Sequence, residues 1–211
     1  MDFTELPEHY SNHHLTQEEM SDNPYSQFIQ WMNKAKEEDI EELNAMALAT
    51  ASSKGIPSSR MVLLKHIDEQ GLIFYTNYES RKAKEIEENP HASAVIFWPK
   101  MMRQICVEGA VEKVSKENSE KYFHSRHRES QIAAWGSVQG KKITSRQELL
   151  NRCEAIKRQY EGKEIPLPPF WGGFRLIPSR FEFWVGGHYR LHDRFEYSLK
   201  NGVWVTARLS P

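Results

Sequence analysis

Short strand-like segments that follow one another through tight turns limit the possible folds of this chain most strongly. Ser53-Lys54-Gly55 separates two apolar runs near the N-terminal end, and Asn201-Gly202 separates two more near the C-terminus. Asn-Gly favours a two-residue hairpin because both positions tolerate a positive φ. The predicted strands are residues 45–51, 58–65, 72–76, 91–98, 103–114, 189–200 and 203–209. Strands joined by such short turns pair antiparallel.

Helical patterns are inserted between these strands rather than alternating with them. Phe28, Trp31 and Ala35 recur at helical spacing after Asn23-Pro24. Further helices are predicted at residues 80–89, 116–125 and 145–161, whereas 126–140 is expected to be irregular. The pattern predicts an α+β fold, a mainly antiparallel barrel surrounded by helices. A mobile arm is expected at residues 1–22, followed by a single domain at 23–211.

Composition narrows the functional class. The chain has 211 residues, with 28 Lys and Arg against 29 Asp and Glu, and this balance argues against a general nucleic-acid binder. Its two cysteines, Cys106 and Cys153, form neither a disulfide framework nor a metal spacing, so a cytoplasmic location is expected. The histidines form no zinc pattern, and no metal is expected. The sequence shows neither a secretory signal nor an apolar stretch of bilayer length, so no membrane partner is expected.

Residues 181–194, FEFWVGGHYRLHDR, carry the densest chemistry. In a strand, Arg190, His192 and Arg194 would share one face. Two guanidinium groups beside an imidazole suit an anionic ligand with a titratable group in the middle. The alternative is an exposed edge strand whose charges lie in water.

Basic residues also cluster at two places upstream. Arg60 and Lys65 bracket an apolar strand and would point to opposite faces, unless a bulge realigns them. On opposite faces, the two side chains would bind different anions. The alternative is that both simply extend from the strand ends into water. Ser80 is a good N-cap, which places Arg81 and Lys82 in the first turn of a helix. Cations oppose the helix dipole there, and a bound phosphate would resolve that conflict; a solvated helix start is the alternative.

A second possible anion site comes from spacing by four. Tyr122, Arg126 and Ser130 would line one side of a helix, or of its exit loop. Gln104 and Gln139 could hydrogen-bond the edge of a heteroaromatic ring, or be ordinary surface amides. The sequence contains neither a phosphate-binding P-loop nor a nucleophile elbow. Two flat, phosphorylated ligands would account for the pattern.

Nine motifs, in this order along the chain, resemble the pyridoxamine 5′-phosphate oxidase family. They are RMVLLK (60–65), FYTN (74–77), SRKA (80–83), RQ (103–104), VEG (107–109), YFHSR (122–126), SQI (130–132), PLPPFWGG (166–173) and EFW…RLHDR (182–194). The resemblance implies an FMN-binding split barrel that works as a homodimer, with FMN at the subunit interface. It also implies oxidation of pyridoxamine or pyridoxine 5′-phosphate to pyridoxal 5′-phosphate by hydride transfer to the flavin, with dioxygen as the electron acceptor and hydrogen peroxide as a product.

The resemblance also implies roles for individual residues. The expected FMN contacts are Arg60, Met61, Val62, Leu63, Leu64, Lys65, Tyr75, Thr76, Arg81, Lys82, Gln104, Gln139, Gly140, Trp184 and Arg194. The expected substrate contacts are Lys65, Tyr122, Arg126, Ser130, Arg190, Leu191 and His192. Arg190 and His192 are expected to lie against the pyridine ring as the catalytic pair. Gly140 departs from the family pattern, which usually has a serine there, so one hydroxyl contact to FMN is lost.

Two other functions remain open from the sequence. One is a related flavin oxidase that aromatises a phenazine precursor, although such proteins tend to lose the lysine of RMVLLK and the residues for the substrate phosphate. Lys65, Tyr122, Arg126 and Ser130 are all present here. The other is a flavin- or pyridoxal-phosphate-binding carrier without turnover, against which Arg190 and His192 argue.

Overall fold

Nine antiparallel strands form one curled sheet in the computed structural model, which describes residues 14–211. The strands are β1 (Ala45–Ala51), β2 (Pro57–Leu63), β3 (His66–Asp68), β4 (Gly71–Asn77), β5 (His91–Trp98), β6 (Arg103–Lys113), β7 (Trp171–Val185), β8 (Asp193–Lys200) and β9 (Val203–Leu209). Their order is β2-β1-β5-β6-β7-β4-β3, with β8 added to β7 and β9 to β8. The predicted antiparallel split barrel is confirmed.

The sheet curls around β7, which pairs with β4, β6 and β8. The register between β6 and β7 shifts at Glu108 and Gly109, which marks a bulge. Gly109 is required there, because a Cβ atom on it would lie 1.9 Å from the carbonyl oxygen of Ile177. Strand β7 pairs with β4 near its start and with β8 near its end, so its two ends lie in different parts of the sheet.

Five α-helices occur among residues 14–211. They are α1 (Pro24–Glu37), α2 (Arg81–Glu88), α3 (Lys116–Ser125), α4 (Arg128–Gly136) and α5 (Arg146–Gln159). Helix α1 buries Phe28 and Trp31 against the sheet, and the Trp31 ring meets Phe183 edge-to-face at 5.2 Å. A second apolar cluster, which includes Phe123 and Ile132, holds α3 and α4 in place.

Most predicted elements are present, but two are wrong. Residues 126–140 are not irregular, because α4 occupies 128–136 and buries Gln131 and Ile132 on one face. The strand expected at 189–200 begins only at Asp193, since residues 188–190 form a single helical turn.

The predicted N-terminal arm is described from residue 14 onwards; residues 1–13 lie outside the described part. Leu15 is buried, and its N–H donates to Asp193 Oδ2 at 3.0 Å. The hydroxyl of Tyr197 donates to the carbonyl of Ser21 at 2.6 Å. These contacts attach residues 14–22 to β8, and the mobility of the arm stays a prediction.

Candidate functional site

A cavity of about 640 Å³ lies between the ends of β2 and β4 and the helices α2, α3 and α4. It is lined by Met61, Val62, Leu63, Lys65, Tyr75, Thr76, Asn77, Lys82, Tyr122, Ser125, Arg126, His127, Ser130, Ala133, Ala134, Ser137, Gln139 and Trp171. Eleven of these eighteen residues carry a cofactor or substrate role in the sequence prediction. The fold therefore brings about half of the two predicted ligand sets to one place.

Lys82, Thr76 and Gln139 form one part of the cavity lining, which we call the Lys82 end. Its ammonium donates to Thr76 Oγ1 at 3.0 Å, Gln139 Oε1 at 3.1 Å and Ser80 Oγ at 3.4 Å. Ser80 also caps α2, as predicted, by accepting from the N–H of Ala83. Burial and, to a smaller extent, the positive charge of Arg60 lower the pKa of Lys82 to about 8. No carboxylate in the described chain pairs with this ammonium, so its charge is available to an anion.

Arg60 and Arg81 meet at a buried carboxylate, Glu85. Arg81 Nε donates to Glu85 Oε1 at 2.7 Å, one helical turn along α2. Arg60 donates to Thr50 Oγ1 at 2.6 Å and lies 3.3 Å from Glu85 Oε2. Hydrogen bonds from Ser58, Thr50 and Arg81 offset the burial of this group and lower the pKa of Glu85 to about 2. The carboxylate thus neutralises two of the cations that the sequence assigns to FMN, whereas Lys82 has no acidic partner among residues 14–211.

The side chains of the RMVLLK segment point to different places, and strand alternation predicts these directions only in part. Strand β2 ends at Leu63, so alternation does not continue to Lys65. Lys65 and Met61 line the cavity, whereas Leu64 is buried in the core. Arg60 lies in the Glu85 network instead. Gly140 is exposed immediately after the cavity residue Gln139.

Arg126 and its aromatic neighbour Trp171 form another part of the cavity lining, which we call the Arg126 end. Helix α3 ends at Ser125, so Tyr122, Arg126 and Ser130 do not share one helix; they line the exit from α3 and the start of α4. Burial lowers the pKa of Arg126. Its Nη1 is the only buried side-chain nitrogen or oxygen without a hydrogen-bond partner in the described chain. An unpartnered buried guanidinium nitrogen is costly, and an oxyanion in the cavity would satisfy it.

Three aromatic rings form a stacked wall beside Arg126. The rings of Tyr75 and Tyr122 are 3.9 Å apart and inclined by 20°, and Trp171 stacks on Tyr75 at 5.6 Å. The guanidinium of Arg126 lies 4.8 Å from the centre of the Trp171 ring. Sequence reasoning gave Trp171 no role. The signal was present in the PLPPFWGG motif, but its contact with Arg126 exists only in the folded chain.

A second group of predicted residues lies on the outward face of the sheet. Gln104, Trp184 and Arg194 are register partners across β6, β7 and β8, so their side chains share one face. Arg194 Nε donates to Glu182 Oε1 at 2.8 Å. None of these residues lines the cavity of the same chain. The same face continues through β5 and β1 to Met61, which is 63% exposed and also lines the cavity rim.

Residues 181–194 do not form one strand, so the expectation of a shared strand face for Arg190, His192 and Arg194 is wrong. Strand β7 stops at Val185, and the chain folds back so tightly that a Cβ atom on Gly187 would lie 2.1 Å from the carbonyl oxygen of Leu191. Arg190 has a φ of 63° in the turn, and Arg194 belongs to β8. Leu191 and His192 line a separate surface depression beside the C-terminus.

His192 is held in one tautomer by this fold-back. The N–H of Gly187 donates to His192 Nδ1 at 3.1 Å, and the imidazole lies 4.7 Å from the Trp184 ring. Burial and the nearby charges of Arg190 and Arg194 lower the pKa of His192. A neutral ring whose Nδ1 accepts carries its hydrogen on Nε2. His192 is therefore a hydrogen-bond donor at Nε2.

Comparison with known proteins identifies the family. Residues 32–160 match the family model described as pyridoxamine 5′-phosphate oxidase. A protein named pyridoxine/pyridoxamine 5′-phosphate oxidase from Crocosphaera subtropica is 50% identical, with 100% of both chains covered. The chain belongs to the pyridoxamine 5′-phosphate oxidase family. A second member of that name, from Rippkaea orientalis, is 48% identical over 100% of both chains.

A solved structure from the phenazine branch has a similar fold but a lower sequence identity to this chain than the two relatives above. The chain superposes on PhzG from Burkholderia lata with a TM-score of 0.87, covering 92% of this chain and 95% of that one. That structure was determined in complex with tetrahydrophenazine-1-carboxylic acid, and its sequence identity is 30%. This chain is accordingly an oxidoreductase of the pyridoxamine 5′-phosphate oxidase family and binds a flavin.

The C-terminal strands match the part of the family through which its members dimerise. Residues 171–211, which span β7 to β9, match the family's C-terminal dimerisation region. Within residues 14–211, no helix is long and apolar enough to cross a membrane. The same residues contain no cluster of three or more histidine, cysteine or acidic side chains suited to a metal ion.

Proposed function

We propose that this protein is an FMN-dependent oxidase that converts pyridoxamine 5′-phosphate or pyridoxine 5′-phosphate into pyridoxal 5′-phosphate. Dioxygen accepts the electrons and hydrogen peroxide is released; with the amine as substrate, water is also consumed and ammonia is released. The observation that carries the proposal is a cavity lined by two cations with separate sets of partners, Lys82 and Arg126, neither of which pairs with a carboxylate in the described chain. Two such cations suit two phosphorylated ligands. The free cysteines favour a cytoplasmic location.

The Lys82 end fits the FMN phosphate. The ammonium is surrounded by neutral oxygens of Thr76, Ser80 and Gln139, and it lies in the first turn of α2. Free N–H groups at a helix N-terminus and a buried ammonium both favour an anion. Arg81 faces Glu85 in this structure, so its FMN contact in the proposal needs a change of side-chain position.

The Arg126 end fits the phosphate of the vitamin substrate. Tyr122 and Ser130 also line the cavity and bring hydroxyl groups to it, and Lys65 brings a further positive charge. Arg126 presents a planar fork of donors whose Nη1 has no other partner. Phosphates anchored at the two ends would fix both rings by their tails and set their relative orientation.

A second copy of the chain would complete the site. The cavity opens beside Met61 on the outward sheet face, and the row Gln104, Trp184 and Arg194 lies on that face. Because residues 171–211 match a dimerisation region, we propose that this row and the Arg190–His192 turn meet the cavity of the partner. FMN would then lie at the subunit interface of a homodimer.

The protein supplies position and charge to the reaction. The residues around the cavity would hold FMN, and a bound FMN would supply the electron-transfer chemistry between the substrate and dioxygen. His192 donates from Nε2 to the 3-hydroxyl oxygen of the pyridine ring, since its Nδ1 is occupied by Gly187 N–H. Arg190 adds a positive charge at the same edge of the ring. Together they orient the substrate without a protein nucleophile.

Purification, absorbance and turnover test this proposal. The purified protein is expected to be yellow and to release FMN on denaturation, and pyridoxine 5′-phosphate in air is expected to yield pyridoxal 5′-phosphate and peroxide. A yellow protein without turnover of either vitamin phosphate would instead support the carrier function. Turnover of a reduced phenazine precursor alone would support the phenazine branch, which the 30% identical PhzG structure represents. A colourless protein that cannot bind FMN would overturn both enzyme functions.

A further inference from the structure

Arg126 is fixed in the cavity by aromatic rings rather than by an acidic partner. Its guanidinium carbon lies 4.8 Å from the centre of the Trp171 ring and 5.9 Å from that of Phe123. No hydrogen bond or ion pair to a carboxylate holds it within the described residues, and Nη1 is buried without a partner. An aromatic face attracts a guanidinium without using its N–H donors, which a carboxylate would occupy.

Trp171 is itself rigidly placed. It is the first residue of β7, where it is the register partner of Asn77, and its N–H donates to the carbonyl of Pro168 at 3.1 Å. Its ring stacks on Tyr75 and Tyr122 and meets Phe123 edge-on at 5.5 Å. Only 8% of the residue is exposed. A ring confined on several sides gives Arg126 a fixed platform.

We propose that Trp171 is a positioning residue for the substrate phosphate, acting through Arg126. This inference rests on the proposed function, because it assigns the phosphate of the vitamin substrate to the Arg126 end of the cavity. Trp171 holds the guanidinium over its ring, so that the N–H fork stays directed at the phosphate. The ring also excludes water from one side of the guanidinium, which strengthens its attraction for an anion.

The test is a comparison of Trp171→Leu with Trp171→Phe. For Trp171→Leu we expect KM for pyridoxine 5′-phosphate and Kd for pyridoxal 5′-phosphate, measured by equilibrium dialysis, to rise about tenfold, which lies between the loss of an exposed and of a fully desolvated cation–π contact. Both kcat and the Kd of FMN should stay within about twofold. Trp171→Phe keeps a ring face and should recover most of the lost affinity.

Trp135→Leu is the matched control. Trp135 packs in the same apolar cluster, against Phe170 at 5.6 Å, and does not line the cavity. Its substitution should reduce stability similarly while leaving Kd for pyridoxal 5′-phosphate unchanged. In addition, Trp171→Leu combined with Arg126→Gln should bind this ligand no more weakly than Arg126→Gln alone.

Three results would overturn the inference: an unchanged Kd in Trp171→Leu, equal losses in Trp171→Leu and Trp135→Leu, or additive losses in the double variant. Normal turnover by the wild-type protein together with any of them would remove the role of Trp171 and leave the proposed function intact. A wild-type protein that binds pyridoxal 5′-phosphate but oxidises neither vitamin phosphate would remove the function, and the dialysis series would still decide the role of Trp171.

Discussion

FMN binding should weaken at alkaline pH because of Lys82. Burial, followed by the charge of Arg60, lowers the pKa of this ammonium to about 8 from an ordinary value of 10.5. The group is charged below pH 8 and becomes neutral above it. A bound phosphate favours the charged form and raises the pKa again. Affinity for FMN is therefore greatest below pH 8 and falls as the pH rises above it.

The size of the effect follows from proton linkage. If the phosphate restores the pKa of Lys82 to its ordinary value, the Kd of FMN at pH 9 is about tenfold larger than at pH 7. Lys82→Arg should remove this dependence, because a guanidinium stays charged throughout the range. Lys84→Met is the control, since Lys84 lies on the same helix and is exposed; it should retain the full dependence.

Quenching of FMN fluorescence, measured during titration of apoprotein between pH 7 and pH 9, provides the assay. The phosphate monoester is a dianion throughout this range, so its own titration adds nothing. A constant Kd in the wild-type protein would refute the proposed proton linkage. An unchanged Kd in Lys82→Met at pH 7 would refute the assignment of Lys82 to the FMN phosphate.

Three further predictions concern other parts of the molecule. Glu85→Gln leaves Arg60 without its buried counter-charge and should cost about 3 kcal/mol in urea unfolding at pH 7; because the pKa of Glu85 is lowered, this difference should shrink as the pH falls from 4.5 through about 2. Gly187→Ala places a methyl group against the carbonyl of Leu191, so kcat/KM should fall at least tenfold, and the His192 imidazole should titrate at higher pH by NMR. Phe97→Asp charges a side chain that is 46% exposed on the outward face, and should yield monomers in sedimentation together with weaker FMN binding.

Local sequence patterns predicted helices and strands correctly where interactions between neighbouring residues determine the secondary structure. Ser80 caps α2 as expected, and the strand at 91–98 has the predicted bounds. The prediction failed where packing between distant segments determines the secondary structure. Helix α4 begins with the polar residues Arg128 to Gln131, and its apolar residue Ile132 packs into the cluster around Phe123. The fold-back at Gly187 depends on a carbonyl four residues away, which alternation along a strand cannot reveal.

The sequence by itself determined the antiparallel fold, the family and the types of residues at the site, because turn signals and motifs are local. Only the tertiary structure decided which cations remain available to anions. Glu85 engages Arg60 and Arg81, while the partners of Lys82 and Arg126 among residues 14–211 are neutral oxygens or aromatic rings. The tertiary structure also separated the Arg190–His192 turn from the cavity of its own chain. Charge pairing and burial depend on contacts between segments far apart in the chain, and a local pattern carries no record of them.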